Sequence, residues 1–317
     1  MIKADNNQTN YYFHLKIYIC IRKSNRMLKL KISTLTLLSA LLFSCGSNEE
    51  NMEETAKSDS LAVSTDSVKA EAEDEKSFSL PSPLQVAYVF KKSGAGYNAS
   101  LISDDANANK YNTSNFKRAA NFGIYSSDLA YCIFNKKSQD AKDYLKACKI
   151  LGEALGLNQA FESDNMAQRF DKNIGNEDSI VKLVSGLQLK TDALLEQNKQ
   201  RHISVIAFTG AWIESMYIAS EIYAKEKNKK VLASLLEQLS FSETVIKALS
   251  ATEKADTEIT GIIPGIKELD TKFNSIPSIK NAFENDEDID FQKIVVDESE
   301  LNAIKTSIKE LRTKLVN

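Results

Sequence analysis

The sequence predicts an all-α fold, a helical bundle of about seven to nine helices built from helical hairpins. Apolar residues near the C-terminus recur at helical spacing in one stripe, which consists of Leu301, Ile304, Ile308, Leu311 and Leu315. Residues 203–224 are apolar on nearly every side, which is typical of a helix at the centre of a domain. Alternating strand patterns are nearly absent, and residues 294–296 form too short an apolar run to count as a strand.

Helix signals place the predicted elements in order along residues 80–317. Ser82 and Pro83 have the cap and first-turn pattern of a helix that ends near Gly94, and a long polar loop follows up to Asn112. Further helices are predicted over residues 114–135, 138–155, 180–197, 203–224 and 229–249.

Two of the predicted hairpins look alike. Polar turns at residues 135–137 and 228–230 each follow a long apolar helix with an interior glycine, Gly123 in the first and Gly210 in the second. A short α-solenoid of tetratricopeptide-like repeats is the alternative architecture, but no period near 34 residues recurs. The two hairpins are therefore interpreted as parts of one bundle.

The N-terminal part of the chain has the layout of an export signal. Two lysines follow Met27, residues 32–43 form an apolar run, and the small residue Ser44 precedes Cys45. The run is shorter than the ~20 residues that span a bilayer. This layout resembles the type II signal peptide of bacterial lipoproteins. The resemblance implies cleavage before Cys45, diacylation of its sulfur with palmitate-like chains, and a membrane anchor at the new N-terminus.

These features divide the chain into four parts. The predicted parts are residues 1–26, an upstream extension ahead of a translation start at Met27; residues 27–44, the signal peptide; residues 45–79, lipidated Cys45 and an acidic disordered tether; and residues 80–317, the all-α domain. After Cys45 the tether holds ten acidic residues, three lysines and one aromatic residue. Such a composition buries too little apolar surface to offset the entropy of ordering the chain.

The charge distribution bears on location and partners. The Glu49-Glu50 and Glu53-Glu54 pairs resemble the export signals of surface lipoproteins in the Bacteroidetes, which implies an outer-membrane lipoprotein that is either periplasmic or surface-exposed. Residues 80–317 are nearly neutral, with 30 basic and 32 acidic residues. This balance argues against nucleic acid as a partner. The expected partners are the membrane, through the anchor, and an envelope protein or small ligand whose identity the sequence does not give.

Two acids, Asp128 and Glu214, are notable because each lies about one turn after the interior glycine of an apolar helix. A buried carboxylate must find a partner or take up a proton. If the two helices cross, the pair is expected to share a proton, bind a cation, or be neutralised by Arg118 or Arg201.

Asp128 and Glu214, together with Trp212 and Tyr217, form a predicted ligand groove. The first functional hypothesis is a non-enzymatic binding or accessory module that docks a protein or small ligand in a helix groove. The alternative is an envelope enzyme that acts on glycan or peptidoglycan through the two acids, since paired carboxylates serve acid and base roles. Acids together in an open cleft would favour the enzyme, and acids that lie apart or are paired with arginine would favour the module.

No catalytic, cofactor-binding or metal-ligating residue is predicted. The chain has only two histidines and lacks the serine-hydrolase, zinc-protease, phosphate-loop and dinucleotide motifs. A calcium-loop spacing is shared by Asp286, Asp288, Asp290 and Asp297. Phe291 stands where the glycine of such a loop would be, so a solvated acidic loop is predicted instead.

Cys132 and Cys148 are the two cysteines of the predicted domain. The predicted hairpin offsets them by about 10 Å along its axis, which is too far for an undistorted disulfide. Both are therefore predicted to be small buried hydrophobic residues with free thiols.

Overall fold

Eleven α-helices and no β-strand make up the part of the chain that the structure describes, so the all-α prediction is confirmed. The computed structural model describes residues 94–162, 165–252, 256–285 and 289–317. The helices are α1 Asn115–Phe134, α2 Ser138–Ala154, α3 Asn158–Glu162, α4 Met166–Asn173, α5 Glu177–Gln197, α6 Arg201–Glu226, α7 Lys229–Leu239, α8 Ser242–Thr252, α9 Ile263–Ser275, α10 Pro277–Glu284 and α11 Glu298–Val316. The signal peptide, Cys45, the tether and the helix predicted at Ser82 lie outside the described residues.

The central helix is α6, which is buried on nearly all sides and packs against α1, α7 and α11. Ile213, Met216 and Ile218 are each 0% exposed. Full burial of an aliphatic side chain of this size contributes about 1.5–3 kcal/mol. The prediction that residues 203–224 form the centre of the domain is confirmed.

α1 crosses α6 at a pair of glycines. A Cβ atom on Gly123 would lie 1.8 Å from the backbone oxygen of Ala207, and one on Gly210 would lie 2.0 Å from the backbone oxygen of Ala120. The two helix backbones are therefore in direct contact, which requires residues without a side chain. This crossing fixes the relative position of the next turn of each helix.

The connectivity is that of a bundle. α1 packs on α6 more extensively than on its hairpin partner α2, and α11 returns from the end of the chain to pack on α6, α9 and α1. In a solenoid each repeat would contact only its sequence neighbours. The bundle interpretation of the two hairpins is therefore confirmed over the solenoid alternative.

Most predicted helix ranges agree with the structure, but residues 229–249 do not form one helix. The segment breaks after Leu239 into α7 and α8. At the break, the hydroxyl of Ser240 donates to the backbone oxygen of Glu237 at 2.6 Å. The prediction also omits α3 and α4, which are too short for periodicity to reveal, and α9 and α10, which begin with a first-turn proline.

α11 closes the bundle with the predicted apolar stripe, all five residues of which are buried. Its first turn has a capping box, in which Asp297 accepts from the N3 backbone and Glu300 accepts from the N–H of Asp297 at 2.9 Å. Asp297 therefore caps a helix. Of the other residues with calcium-loop spacing, Asp290 accepts from the N–H of Gln292 at 3.1 Å, and Asp286 and Asp288 lie outside the described residues.

Cys132 and Cys148 are both buried and both free, as predicted. The sulfur of Cys132 lies 3.7 Å from the hydroxyl of Tyr97, and that of Cys148 lies 3.7 Å from the hydroxyl of Ser126. Burial raises the pKa of both thiols to about 12, so both remain protonated at neutral pH.

Residues 94–112, here called the strap, run back along α1 and α2 before α1 begins. The predicted polar loop is therefore an ordered segment, which contains the two 3-10 turns Ala99–Leu101 and Asp105–Tyr111. Within the strap only Ser103 and Ala108 are buried. The strap is held by hydrogen bonds to side chains of the helices and by its partly buried apolar residues, which pack against the core: Ala95, Tyr97, Leu101, Ile102 and Tyr111.

Candidate functional site

Asp128 of α1 and Glu214 of α6 lie side by side at the centre of the bundle. Both residues are 0% exposed, and their carboxyl groups are in hydrogen-bond contact. Each lies about one turn beyond the glycine at which its helix crosses the other. The structure therefore brings together the two acids that the sequence singles out.

Arg312 of α11 neutralises Glu214. Its Nε donates to one carboxylate oxygen at 2.5 Å and its Nη2 donates to the other at 2.8 Å. This bidentate arrangement is the strongest form of arginine–carboxylate pairing. The guanidinium also stacks on Tyr217, 4.4 Å from the ring centroid. Only 17% of the Arg312 side chain is exposed, so the ion pair is largely shielded from solvent.

The expectation that Arg118 or Arg201 would neutralise the acids is wrong. Arg118 donates to the side chain of Asn115 and to the backbone oxygen of Asn112. Arg201 lies at the start of α6, about 20 Å along the helix from Glu214. The cation comes instead from α11, because that helix packs alongside α6.

The hydrogen bonds of Asp128 indicate that it carries a proton. Its Oδ2 accepts from the backbone N–H of Ser103 at 3.0 Å, and no described residue donates to its Oδ1. Two carboxylates cannot hydrogen-bond each other because both are acceptors. A proton on Asp128 resolves both points, since a protonated carboxyl group has an O–H that can donate to Glu214.

The electrostatics of the cluster agree with this assignment. Burial, followed by the neighbouring Glu214 carboxylate, raises the pKa of Asp128 well above its usual range. Burial also raises the pKa of Glu214, although Arg312 acts in the opposite direction. A neutral Asp128 with a charged Glu214 and a charged Arg312 gives a cluster of zero net charge. A charged Asp128 would leave one uncompensated negative charge in the interior.

The other predicted groove residues lie in different surroundings. Trp212 is 1% exposed, and its indole N–H donates to the backbone oxygen of Gln238 at 2.9 Å. Tyr217 is partly buried beneath the guanidinium of Arg312. Because Asp128, Trp212 and Glu214 are fully buried and Tyr217 alone is partly exposed, the four residues do not form an open groove in this structure.

Arg312 and Ser103 also belong to the cluster, although neither is among the site residues expected from the sequence. Arg312 stands four residues after Ile308 and three before Leu315, at the edge of the apolar stripe of α11. An arginine beside a buried apolar stripe indicates that a buried acid pairs with it, because arginine is rarely buried unless it is paired. Ser103 has no comparable signal, because nothing in the sequence distinguishes it from the other polar residues of the strap.

We expect Asp128→Asn to weaken the pH dependence of stability. In the unfolded chain this carboxyl titrates near pH ~3.9, whereas the folded chain keeps its proton to higher pH. The free energy of unfolding of the wild type therefore falls as pH rises between these two pKa values, by at most about 1.4 kcal/mol per pH unit for one proton. The substituted amide cannot titrate, so urea denaturation of the variant from pH 4 to pH 8 should show a shallower decline.

A matched control is Asp143→Asn. Asp143 is an exposed acid whose pKa is lowered by hydrogen bonds from Lys146 and Gln139, so its contribution is lost as pH falls. This variant should keep the steep decline of the wild type between pH 4 and pH 8. Equal slopes for wild type and Asp128→Asn would contradict a protonated Asp128.

Two further features bear on the site. α6 is the one described helix that is long and apolar enough to cross a membrane, and 78% of its most apolar window is buried inside the fold. A helix with most of its apolar surface buried inside the fold has the character of a core helix. Among the described residues, no group of three His, Cys, Asp or Glu side chains is arranged to hold a metal ion.

Comparison with known proteins gives no relative: no protein-family model, curated protein or solved structure matches the chain.

Proposed function

We propose that the chain is a lipid-anchored protein of the cell envelope whose helical domain is a non-enzymatic binding or accessory module. The anchor is supported by the sequence Leu42-Phe43-Ser44-Cys45 after a basic and an apolar region. In this proposal Cys45 carries acyl chains in the outer membrane, and the acidic tether holds the domain on the periplasmic or the outer side.

The observation that carries the non-enzymatic role is the pairing of Glu214 with Arg312. A catalytic acid must reach its substrate, whereas Asp128 and Glu214 are fully buried and their hydrogen bonds go to each other, to Arg312 and to Ser103. Both oxygens of Glu214 are occupied by the guanidinium. The cluster connects α1, α6, α11 and the strap. In this proposal a protein or small ligand therefore binds at the surface of the domain and not at the buried acids.

The alternative is an enzyme that acts on glycan or peptidoglycan through the acid pair. It is favoured by the raised pKa values of two adjacent carboxyls, because acid–base pairs of enzymes share this feature. The Asp128→Asn variant separates the two roles. Its amide keeps an acceptor for Ser103 and a donor to Glu214, so a module should retain its cellular role in a strain carrying the variant gene, whereas an enzyme that uses Asp128 as its acid should lose it.

We expect Cys45→Ala to release the protein from membranes. Each buried CH₂ of an acyl chain contributes about 0.8 kcal/mol to membrane binding, so loss of the acylated sulfur removes the anchor. Fractionation should move the chain from the membrane pellet to the soluble fraction, and incorporation of labelled palmitate should disappear.

Ser47→Ala is the matched control, because Ser47 lies two residues after Cys45 but has no thiol to acylate. This variant should remain in the membrane fraction and remain labelled. A Cys45→Ala protein that stays in the pellet would mean that the apolar segment is retained, and the proposed lipid anchor would then be wrong.

A further inference from the structure

A cavity of about 220 Å³ lies where the hairpin of α1 and α2 meets the turn between α4 and α5. Its wall is apolar and is formed by Ile133, Ala141, Phe170, Ile174 and Ile180. All of these residues except Ile174 are buried. An engineered apolar cavity of about 150 Å³ binds benzene, so this cavity has room for an apolar group of about six to eight carbon atoms.

Two exposed cations, Lys136 and Lys137, line the mouth of this cavity. No ion pair joins either lysine to another residue that the structure describes. The ammonium group of Lys137 lies 4.9 Å from the ring centroid of Tyr97, a cation–π contact that restrains it beside the mouth. Cations without a partner next to an apolar wall are complementary to a ligand with a negative head and an apolar body.

The first turn of α2 favours the same sign of charge at the mouth. Lys137 is the N-cap residue of this helix, and its side chain makes no capping hydrogen bond. Ser138, the first residue of the helix, also lines the cavity. Backbone N–H groups at the start of a helix attract negative charge, so they reinforce the attraction of the two lysines for an anion.

Glu177 is the one acid that lines the cavity. It lies in the first turn of α5 and is partly buried. Two lysines against one glutamate leave the lining with one net positive charge. The single charge of a carboxylate compensates this excess, whereas a phosphate group with its charge of about −1.5 to −2 would exceed it. The charge balance therefore favours a carboxylate as the head of the ligand.

We propose that this cavity binds a small carboxylic acid with an apolar chain of about six to eight carbon atoms. The carboxylate lies at the mouth beside Lys136 and Lys137, and the chain lies against Ile133, Phe170 and Ile180. Burial of the chain supplies most of the affinity, and the two lysines select the charged head. This inference names a ligand class for the proposed binding module and rests on that role, but it does not depend on the lipid anchor.

The probe is octanoate, and isothermal titration calorimetry measures its binding to the purified full chain. We expect saturable binding at one site per chain. The uncharged analogue 1-octanol has the same chain length but lacks the carboxylate, so it should bind more weakly than octanoate does. This comparison separates the contribution of the charged head from that of the apolar chain.

Substitutions at the mouth test the role of charge. The double variant Lys136→Gln/Lys137→Gln removes two exposed ion pairs with the ligand and should weaken octanoate binding about threefold to tenfold. Its affinity for 1-octanol should stay the same. Glu177→Gln removes the opposing charge and should tighten octanoate binding. Lys149→Gln is the matched control, because Lys149 is an exposed lysine of α2 that does not line the cavity, and it should leave octanoate binding unchanged.

Ala141→Leu tests the position of the apolar chain, because the larger side chain takes up space in the cavity. It should abolish the binding of octanoate and of 1-octanol, and circular dichroism checks that the variant keeps its helices. If Ala141→Leu unfolds, the substitutions at the mouth still decide, since they change charge without adding bulk to the core.

Three results would overturn the inference. They are the absence of saturable octanoate binding to the wild type, equal affinity for octanoate and 1-octanol, and a loss of affinity in Lys149→Gln as large as in the double lysine variant. A chain that fails these tests but is released from membranes by Cys45→Ala would lose this site and keep the proposed anchor. The cavity and the anchor can therefore fail separately.

Discussion

Replacement of Arg312 by alanine is expected to lower the free energy of unfolding by about 3–5 kcal/mol, the usual cost of removing one partner of a buried ion pair. The variant leaves Glu214 in the interior without a cation, beside Asp128. It also removes the stacking on Tyr217 and the hydrogen bond to Ser103. Urea denaturation followed by circular dichroism measures the loss.

Lys305→Ala is the matched control, since Lys305 lies on the same helix and also pairs with an acid of α6, Glu221, at 2.9 Å. This pair is more exposed than that of Arg312, so its loss should cost less than about 1 kcal/mol. Adding Glu214→Gln to Arg312→Ala removes the unpaired charge and should recover part of the stability. Equal effects of Arg312→Ala and Lys305→Ala would show that Glu214 does not depend on its buried partner.

The contact between the two acids could be predicted because the signals lie within each helix. α6 is apolar on all sides, so it had to be central, and Glu214 on such a helix had to be buried. Asp128 occupies a similar position after a similar glycine on α1. The predicted contact between the two acids required only that α1 and α6 cross, and the two helices do cross in the structure.

The source of the cation could not be predicted by the same reasoning. Arg312 lies 98 residues from Glu214 along the chain, and its position depends on how α11 packs across α6 and α1. The apolar stripe of α11 predicts which face of that helix is buried, but not which helix it covers. The place of Ser103 depends in the same way on the path of the strap, which has no periodic pattern.

Several helices and helix ends could not be predicted from the sequence, for a related reason. Periodicity identifies long amphipathic helices such as α1, α5 and α11, because several turns repeat one pattern. It says little about where a helix of five or eight residues lies, as in α3 and α4. The break after Leu239 is likewise not revealed by composition, because no glycine or proline stands near it.

Replacement of Gly123 by alanine is expected to lower the free energy of unfolding by at least about 3 kcal/mol, at the upper end of what overpacking a core costs. The added Cβ would lie 1.8 Å from the backbone oxygen of Ala207 and 2.9 Å from the backbone nitrogen of Ala211, whereas carbon–oxygen contacts need about 3.3 Å. Backbone atoms cannot rotate aside as a side chain does, so α1 and α6 must separate. Separation would also pull Asp128 away from Glu214, and Gly210→Ala should have the same effect because its Cβ meets Ala120.

Gly186→Ala isolates this effect, because Gly186 is also inside a helix, α5, but a Cβ there would meet nothing within 4 Å. Both substitutions gain the same helix propensity, up to about 1 kcal/mol in favour of alanine. Gly186→Ala should therefore leave stability unchanged or raise it slightly, and the difference between the two variants measures the cost of the crossing alone. If Gly123→Ala were as stable as Gly186→Ala in urea denaturation, the direct backbone contact between α1 and α6 would be wrong. The approach of Asp128 to Glu214, which depends on that contact, would then need another cause.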